Sequence, residues 1–291
     1  MKSSISPLVV LSLILFVILL WSGNFIAIAY LVKEIEPFTA LMLRFIAVSI
    51  ILMPFLFSIP SKKNFIYLIF ATIAIVPGHF GLLFLSIEYT KSLAGISILI
   101  QLAIPFSILL SWIIFKDKLN RLRIIGLTIA FIGMLFLLYS PDLLSSRKAF
   151  FIAIGSAVSM GIYFVVVKKV KKVKSVAIIA WTSFLGIPMM YLFMLYSNQS
   201  FEVLYNIKSN LTYYSFIYIV IASSIIGHGI WAYLIKIEDI SFISPFLLLV
   251  PLFTSILSIF VFDEQFSISF IILGSMIIIG IFLVFISKNK I

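Results

Sequence analysis

Apolar runs long enough to cross a bilayer recur along this chain, and that feature excludes most folds. A helix crosses the hydrocarbon core with roughly 17–25 apolar residues. Runs free of charge extend over Leu8–Val32, Phe65–Ile87, Ser92–Phe115, Ile124–Pro141 and Ala149–Val167, then over Ser175–Phe201, Ser209–Ile235, Ile240–Phe262 and Gln265–Ser287. Pro37–Ser61 makes a tenth, interrupted only by Arg44. Transmembrane strands would read as about 9–11 alternating residues, whereas these runs are continuous and about twice as long. The first run also exceeds the apolar core of a removable signal, about 7–15 residues, and reads as a retained span. The expected fold is an all-α polytopic membrane protein with ten transmembrane helices.

Composition matters at two points. The chain is 63% hydrophobic and only 11% charged, with a mean hydropathy of +1.28, against about 25% charged residues in a soluble domain. Apolar surface in that excess needs a lipid bilayer as its partner. The formal charge of +11 could suggest nucleic acid, but the basic residues sit in short loops between the runs, where they report orientation. With the N-terminus in the cytoplasm, the inside holds Lys2, Lys62, Lys63, Lys116, Lys118, Arg121 and Arg123. It also holds Lys168, Lys169, Lys171, Lys172, Lys174, Lys236, Lys288 and Lys290. The outside holds only Lys33, Lys91, Arg147, Lys148 and Lys208. Translocating basic residues is disfavoured, so both termini are expected in the cytoplasm, in the inner (cytoplasmic) membrane, with no nucleic-acid partner.

The chain also echoes itself. Gly78-His79, Pro105, Asp117-Lys118, Gly126 and Gly133 recur in order as Gly227-His228, Pro251, Asp263-Glu264, Gly274 and Gly280, each displaced by nearly the same interval. An odd number of helices per half turns the halves over relative to each other. This is the inverted-repeat arrangement of many secondary transporters, whose substrate site lies near the midplane between repeats. The expected units are 1–146 and 147–291, each of five helices.

Several chemistries are missing. There is no GxxxxGK[ST] loop, so transport driven by the chain's own ATP hydrolysis is excluded. The absence of cysteine removes disulfides, thiolate metal sites and a Cys nucleophile. All ten acids fall in loops or at run ends, and the pair Asp263-Glu264 is taken as the candidate acidic cluster; the favoured reading is a solvated helix-end turn with capping acids. No cofactor, metal site or catalytic residue is expected.

What remains is polar groups within the runs, which are costly in lipid and so face a cavity or a partner helix. Arg44 either snorkels to the interface, pairs structurally or attracts a substrate carboxylate. His79 and His228 occupy matching positions beside glycines, as cavity or proton-coupling groups or as interhelical hydrogen-bonders. Trp21 and Asn24 lie mid-span, where a tryptophan suggests a cavity wall and an asparagine suits either a site or helix–helix contact. Gln101 with Pro105, and Pro245 with Pro251, mark kinked helices whose freed carbonyls bind substrate or are satisfied by nearby Ser and Thr. Trp181 and Trp231 are further candidates for the cavity wall, and the many phenylalanines elsewhere read as lipid-facing bulk. Gly126 and Gly133 mark a tight helix contact, either within the chain or in a homodimer.

These residues resemble the EamA-type drug/metabolite transporters, a superfamily of ten-helix proteins built from two five-helix repeats. The resemblance is carried by Trp21-Ser22-Gly23-Asn24-Phe25 and Arg44-Phe45, and by Leu102–Pro105 running to Phe115-Lys116-Asp117-Lys118. Val261-Phe262-Asp263-Glu264 leading to Gly274 and Gly280 adds to it. Ile226-Gly227-His228-Gly229-Ile230-Trp231, Ser244–Pro251, Gly78–Phe84 and Gly95–Gln101 are most similar to the O-acetylserine/cysteine exporter branch. The sequence departs from the superfamily where a Gly-Glu turn commonly follows the fourth helix: Lys116-Asp117-Lys118 stands there. The resemblance implies a secondary transporter, not an enzyme, moving a small-molecule substrate such as an amino acid or derivative, with efflux favoured. Uptake of another metabolite (nucleotide, sugar or related compound) is the alternative reading, and a membrane-embedded enzyme a remote one.

Overall fold

A computed structural model describes residues 6–89, 96, 99–117, 119–137, 147–262 and 268–287. Among them every regular element is helical. We label the rods α1 (Pro7–Leu31), α2 (Pro37–Ile51), α3 (Lys62–Ile87), α4 (Ile100–Phe115) and α5 (Arg121–Leu137). Then follow α6 (Arg147–Lys169), α7 (Ser175–Tyr196), α8 (Asn210–Ile237), α9 (Ile240–Ile243 continuing to Leu249–Phe262) and α10 (Ile268–Ser287). By length and composition α1, α3, α6, α7, α8 and α9 can each cross a membrane. The protein is a multi-pass membrane protein.

The run Pro37–Ser61 is helical only to Ile51, after which a short 3₁₀ turn, Met53–Phe55, carries the chain away. Pro54 has no N–H to give the helix and restricts the residue before it. At 15 residues, α2 is about 22 Å long, short of the hydrocarbon thickness of about 30 Å. Its first turn is capped from outside, since Gln199 Oε1 accepts from the Phe38 and Thr39 amides at 2.8 and 3.2 Å.

The packing has a crossed pattern. α1 lies against α8 and α9, and α6 lies against α3 and α4; α2 pairs with α7, and α5 with α10. Without a hydrophobic drive between helices in lipid, small residues set how closely backbones approach. A Cβ on Gly126 would lie 2.6 Å from the Gly280 carbonyl oxygen, so α5 and α10 meet backbone to backbone. The Gly126 contact is thus made within the chain.

Two kinds of irregular turn recur at related places. α3 contains a π-helical stretch, Ala74–Gly81, and α8 another, Ile219–Gly227. α4 opens on a 3₁₀ turn, Ile100–Leu102, just before Pro105, and α9 contains one, Ser244–Leu248, that holds Pro245 and precedes Pro251. A π turn adds about one residue to a helical turn, which rotates the side chains beyond it by about 100°. The wide turns place His79 and His228 on the inner face of the bundle.

Candidate functional site

α1, α3, α4, α6, α8 and α9 enclose a small cavity of about 70 Å³. Its polar lining is Asn24, His79, Gln101, Ser223 and His228, with Trp21 beside them. Phe25, Phe80, Leu83, Met160, Leu247 and Val250 supply most of the apolar wall. A larger groove of about 760 Å³ lies among α1, α7 and α8, but Leu13, Ile226, Ile230 and Tyr233 give it an apolar lining suited to lipid. The chemistry therefore belongs to the smaller hollow.

The two histidines are placed alike and held differently. Ser156 of α6 crosses to α3, where its Oγ–H donates to the His79 carbonyl at 2.9 Å and lies 3.0 Å from Nδ1. Because that hydroxyl proton is used, its lone pair faces Nδ1, which is then the protonated ring nitrogen. The Ser156 carbonyl lies 3.3 Å from the same nitrogen. His228 instead packs against Trp21 of α1, tilted by 45° at 4.7 Å, and meets Phe80 edge-on at 5.5 Å, and its buried Nδ1 has no hydrogen-bond partner. Trp21 Nε1 reaches the Ser223 carbonyl at 3.4 Å, and Trp231 backs Trp21 at 5.5 Å.

Glycine permits both contacts. A Cβ on Gly78 would lie 2.8 Å from Ser159 Oγ, and one on Gly227 would lie 2.8 Å from Trp21 Nε1. The helix crossings at the two sites are closer than any side chain allows.

Arg44 does not snorkel. Only 2% of it is exposed, its Nε donates to Ser224 Oγ at 2.7 Å, and its guanidinium lies 4.1 Å from the centre of the Phe80 ring. Ser224 in turn donates to the Ile219 carbonyl at 2.6 Å, five residues back along the π stretch. No carboxylate lies within ion-pair distance of Arg44 among the described residues, and its Nη1 has no hydrogen-bond partner.

The other sequence candidates divide. Asn24 and Gln101 line the cavity, and Trp231 stands behind its wall. Trp181 stands apart, edge-on to Phe65 at 5.6 Å near the other end of α3. Pro105, Pro245 and Pro251 shape α4 and α9 without lining the cavity, and the Val250 carbonyl accepts from Ser22 Oγ at 3.2 Å. Asp263 and Glu264 lie outside the described residues. Phe80 departs from the lipid-facing reading of the phenylalanines: it is buried and touches His79, His228 and Arg44. Sequence reading also passed over Ser156, Ser223 and Ser224. The signal for the last pair was a double serine one turn before Gly227-His228, in an otherwise apolar run.

Polar contacts tie the bundle at both ends. At one, Glu34 accepts from the Lys208 and Ser209 amides, each at 3.2 Å, and from Thr212 Oγ1 at 2.5 Å. At the other, the Asn64 side chain exchanges hydrogen bonds with the Lys171 backbone at 2.8 and 3.3 Å. Here too Lys168 reaches Asp117 at 3.6 Å and Asp239 at 3.9 Å, while Ser111 donates to Asp117. Buried Arg123 donates to Ser241 at 2.8 Å and Ser287 at 3.4 Å. The turn that brings Asp117 to Lys168 needs Lys116 in the left-handed region, at φ 57°, where glycine is the usual occupant.

Comparison with known proteins agrees with this architecture. The pattern of the EamA-like transporter family matches residues 8–139 and again 147–286. An uncharacterized transporter of Archaeoglobus fulgidus is 26% identical, over 91% of this chain and 93% of its own. A probable amino-acid metabolite efflux pump of Salmonella typhimurium is 25% identical, over 82% of each chain. One of the same description from Escherichia coli is 23% identical, over 87% of each. A crystal structure 14% identical superposes with a TM-score of 0.78, covering 98% of this chain and 99% of the other, which shows a shared fold. The chain belongs to the EamA-like transporter family and is a membrane transporter, not an enzyme.

Proposed function

We propose that this protein is a secondary transporter that exports an amino acid or amino-acid derivative across the cytoplasmic membrane by alternating access. The observation that carries the reading is the central cavity, where α3 and α8 each deliver a histidine from the end of a π-helical stretch. All ten rods cross the bilayer in this reading, as two inverted repeats, 1–146 and 147–291. The crossed packing of α1 on α8 and α9, and of α6 on α3 and α4, supports that division, because a pseudo-two-fold axis in the membrane plane relates such halves. Rocking one half against the other would expose the cavity alternately to each side. α5 and α10, paired with each other outside it, are scaffold.

Both termini face the cytoplasm in this reading. The end carrying Lys62, Lys63, Lys168, Lys171 and Lys236 is then inside, in accord with the bias of basic residues. The amino-acid class and outward direction are supported by relatives described as amino-acid metabolite efflux pumps.

The test is counterflow in proteoliposomes with labelled amino acids, including cysteine and O-acetylserine, with and without a pH gradient. Saturable exchange of one class supports the reading. Exchange confined to nucleotides or sugars would remove the amino-acid assignment and keep the carrier. The cysteine-free chain allows a clean check of topology: single cysteines at Lys33 and Lys171 should react with an impermeant thiol reagent from opposite sides.

A further inference from the structure

We propose that Arg44 is the carboxylate-recognition group of the transport site, and that the ligand is a small acid that also carries an N–H or O–H donor for Asn24. The inference rests on the carrier reading above and names the chemistry its substrate must have.

The argument starts from unmatched polar atoms. Arg44, Asn24 and His228 are 2%, 8% and 8% exposed, and each has a buried polar atom without a partner: Nη1, Oδ1 and Nδ1 respectively. Such a concentration is unusual, because buried polar groups are nearly always paired. A guanidinium in a membrane interior is the most demanding of the three. Its forked donors match a carboxylate in two parallel hydrogen bonds, and a lone buried cation carries a desolvation cost that an anion nearby offsets most fully. The protein supplies one hydroxyl, Ser224, and the faces of Phe80 and Phe45 at 4.1 and 5.8 Å, but no carboxylate within ion-pair distance among the described residues.

Phe80 is the partition between this cation and the cavity. Its ring packs on Arg44 and also forms part of the cavity wall beside His79 and His228. An acid entering the cavity reaches Nη1 once that ring swings aside, exchanging a cation–π contact for a charge-assisted pair. Asn24 Oδ1 is an acceptor on the cavity wall that a donor on the ligand would match. Together these groups favour amino acids and hydroxy acids over amines, amides and plain fatty acids. Ser224 positions the guanidinium by holding Nε.

The experiment uses the full chain, purified in detergent. Binding is read by quenching of tryptophan emission, since Trp21 lines the cavity, and transport by counterflow of the same compounds. The probes are matched sets: alanine, lactate, propionate and alaninamide; cysteine and cysteinamide; serine and serinamide. Acids should bind at least about 10–100-fold more tightly than their amides, and alanine or lactate more tightly than propionate, as expected for loss of a charged or buried hydrogen bond. Arg44→Gln should erase the acid-over-amide ratio. If that variant does not fold, Ser224→Ala carries the test: the ratio should fall severalfold, with recovery in Ser224→Thr. Phe80→Ala should raise acid affinity by removing the partition.

Equal binding of acid and amide, an unchanged ratio in Ser224→Ala, or no binding by any acid overturns the proposal. Counterflow of a non-acid would leave the carrier reading standing as the proposal fell. Selective acid binding without counterflow would sustain the recognition site and remove the carrier reading.

Discussion

His79 and His228 sit at the ends of matching π-helical stretches, each against a helix from the other part of the chain, yet they meet different chemistry. His79 meets the serine of α6 and is hydrogen-bonded; His228 meets the indole of α1 and keeps a buried ring nitrogen without a partner. A repeat can preserve backbone irregularity and packing partner while two crossing residues, Ser156 and Trp21, decide which histidine is fixed and which is available. By this reasoning His79 is held in place and His228 is the one poised for ligand or proton.

The largest expected effect separates these roles. His79→Ala should cost about 2–3 kcal/mol of stability, because it leaves Ser156 without its ring partner and opens a void. His228→Ala also opens a void, beside Trp21 and Phe80, but removes no made hydrogen bond, so it should cost less, about 1–2 kcal/mol, while lowering counterflow more than tenfold. Thermal unfolding in detergent and proteoliposome exchange read the two separately; equal behaviour would break the comparison.

The glycines sharpen it. Gly78→Ala drives a methyl to 2.9 Å from the Ile73 carbonyl as well as onto Ser159, so backbone must shift; a loss of about 1–3 kcal/mol is expected. Gly227→Ala meets mainly the Trp21 indole edge, which can tilt. It should cost less stability and disturb transport through the contact between Trp21 and His228. Unfolding temperatures in the reverse order would show that the two crossings are not built as described.

Ser156→Ala is milder, an expected loss of about 0.5–1.5 kcal/mol. It removes the hydroxyl beside the His79 ring but leaves the backbone carbonyl of residue 156, 3.3 Å from Nδ1, as that nitrogen's acceptor. Histidine NMR should therefore still show the Nδ1–H tautomer at His79; its loss would show that the hydroxyl, not the carbonyl, fixes the ring.

The smallest effect concerns the two end clasps, one built on a carboxylate and one on an amide. The Thr212 hydroxyl, followed by the Ser209 and Lys208 amides, holds the Glu34 pKa below its ordinary 4.5. A depressed carboxylate contributes stability that is present above 4.5 and lost as pH falls through its folded-state value. The Glu34 clasp should thus stay closed at neutral pH and loosen only below about 4.5, while the Asn64 clasp does not titrate. Spin-label distances between positions 33 and 213, compared with 63 and 172, test this. Broadening at both ends would show general acid unfolding.

Much of the fold was legible because the apolar runs are long enough to span a membrane as helices. The site was half legible: Trp21, Asn24, His79, Gln101 and His228 were singled out as polar or bulky groups in apolar surroundings, and all five line the cavity. Trp181 satisfied the same test and lies elsewhere, since residue type does not say which way a helix faces. Phe80 was lost among thirty phenylalanines, because a ring that meets lipid and a ring that meets a guanidinium leave the same trace in hydropathy. Lys116-Asp117-Lys118 looked like a departure from the superfamily's glycine turn. Lys116 takes a left-handed conformation, at a cost of about 1–2 kcal/mol, and Asp117 reaches Lys168.

By itself the sequence determined that this chain enters a membrane as helices, because transfer into lipid sums over contiguous residues and every backbone group must be satisfied locally. The tertiary structure alone decided which polar groups converge. The π and 3₁₀ turns rotate helix faces without changing composition, and whether Arg44 reaches lipid headgroups or stays behind Phe80 depends on neighbours far away in the chain.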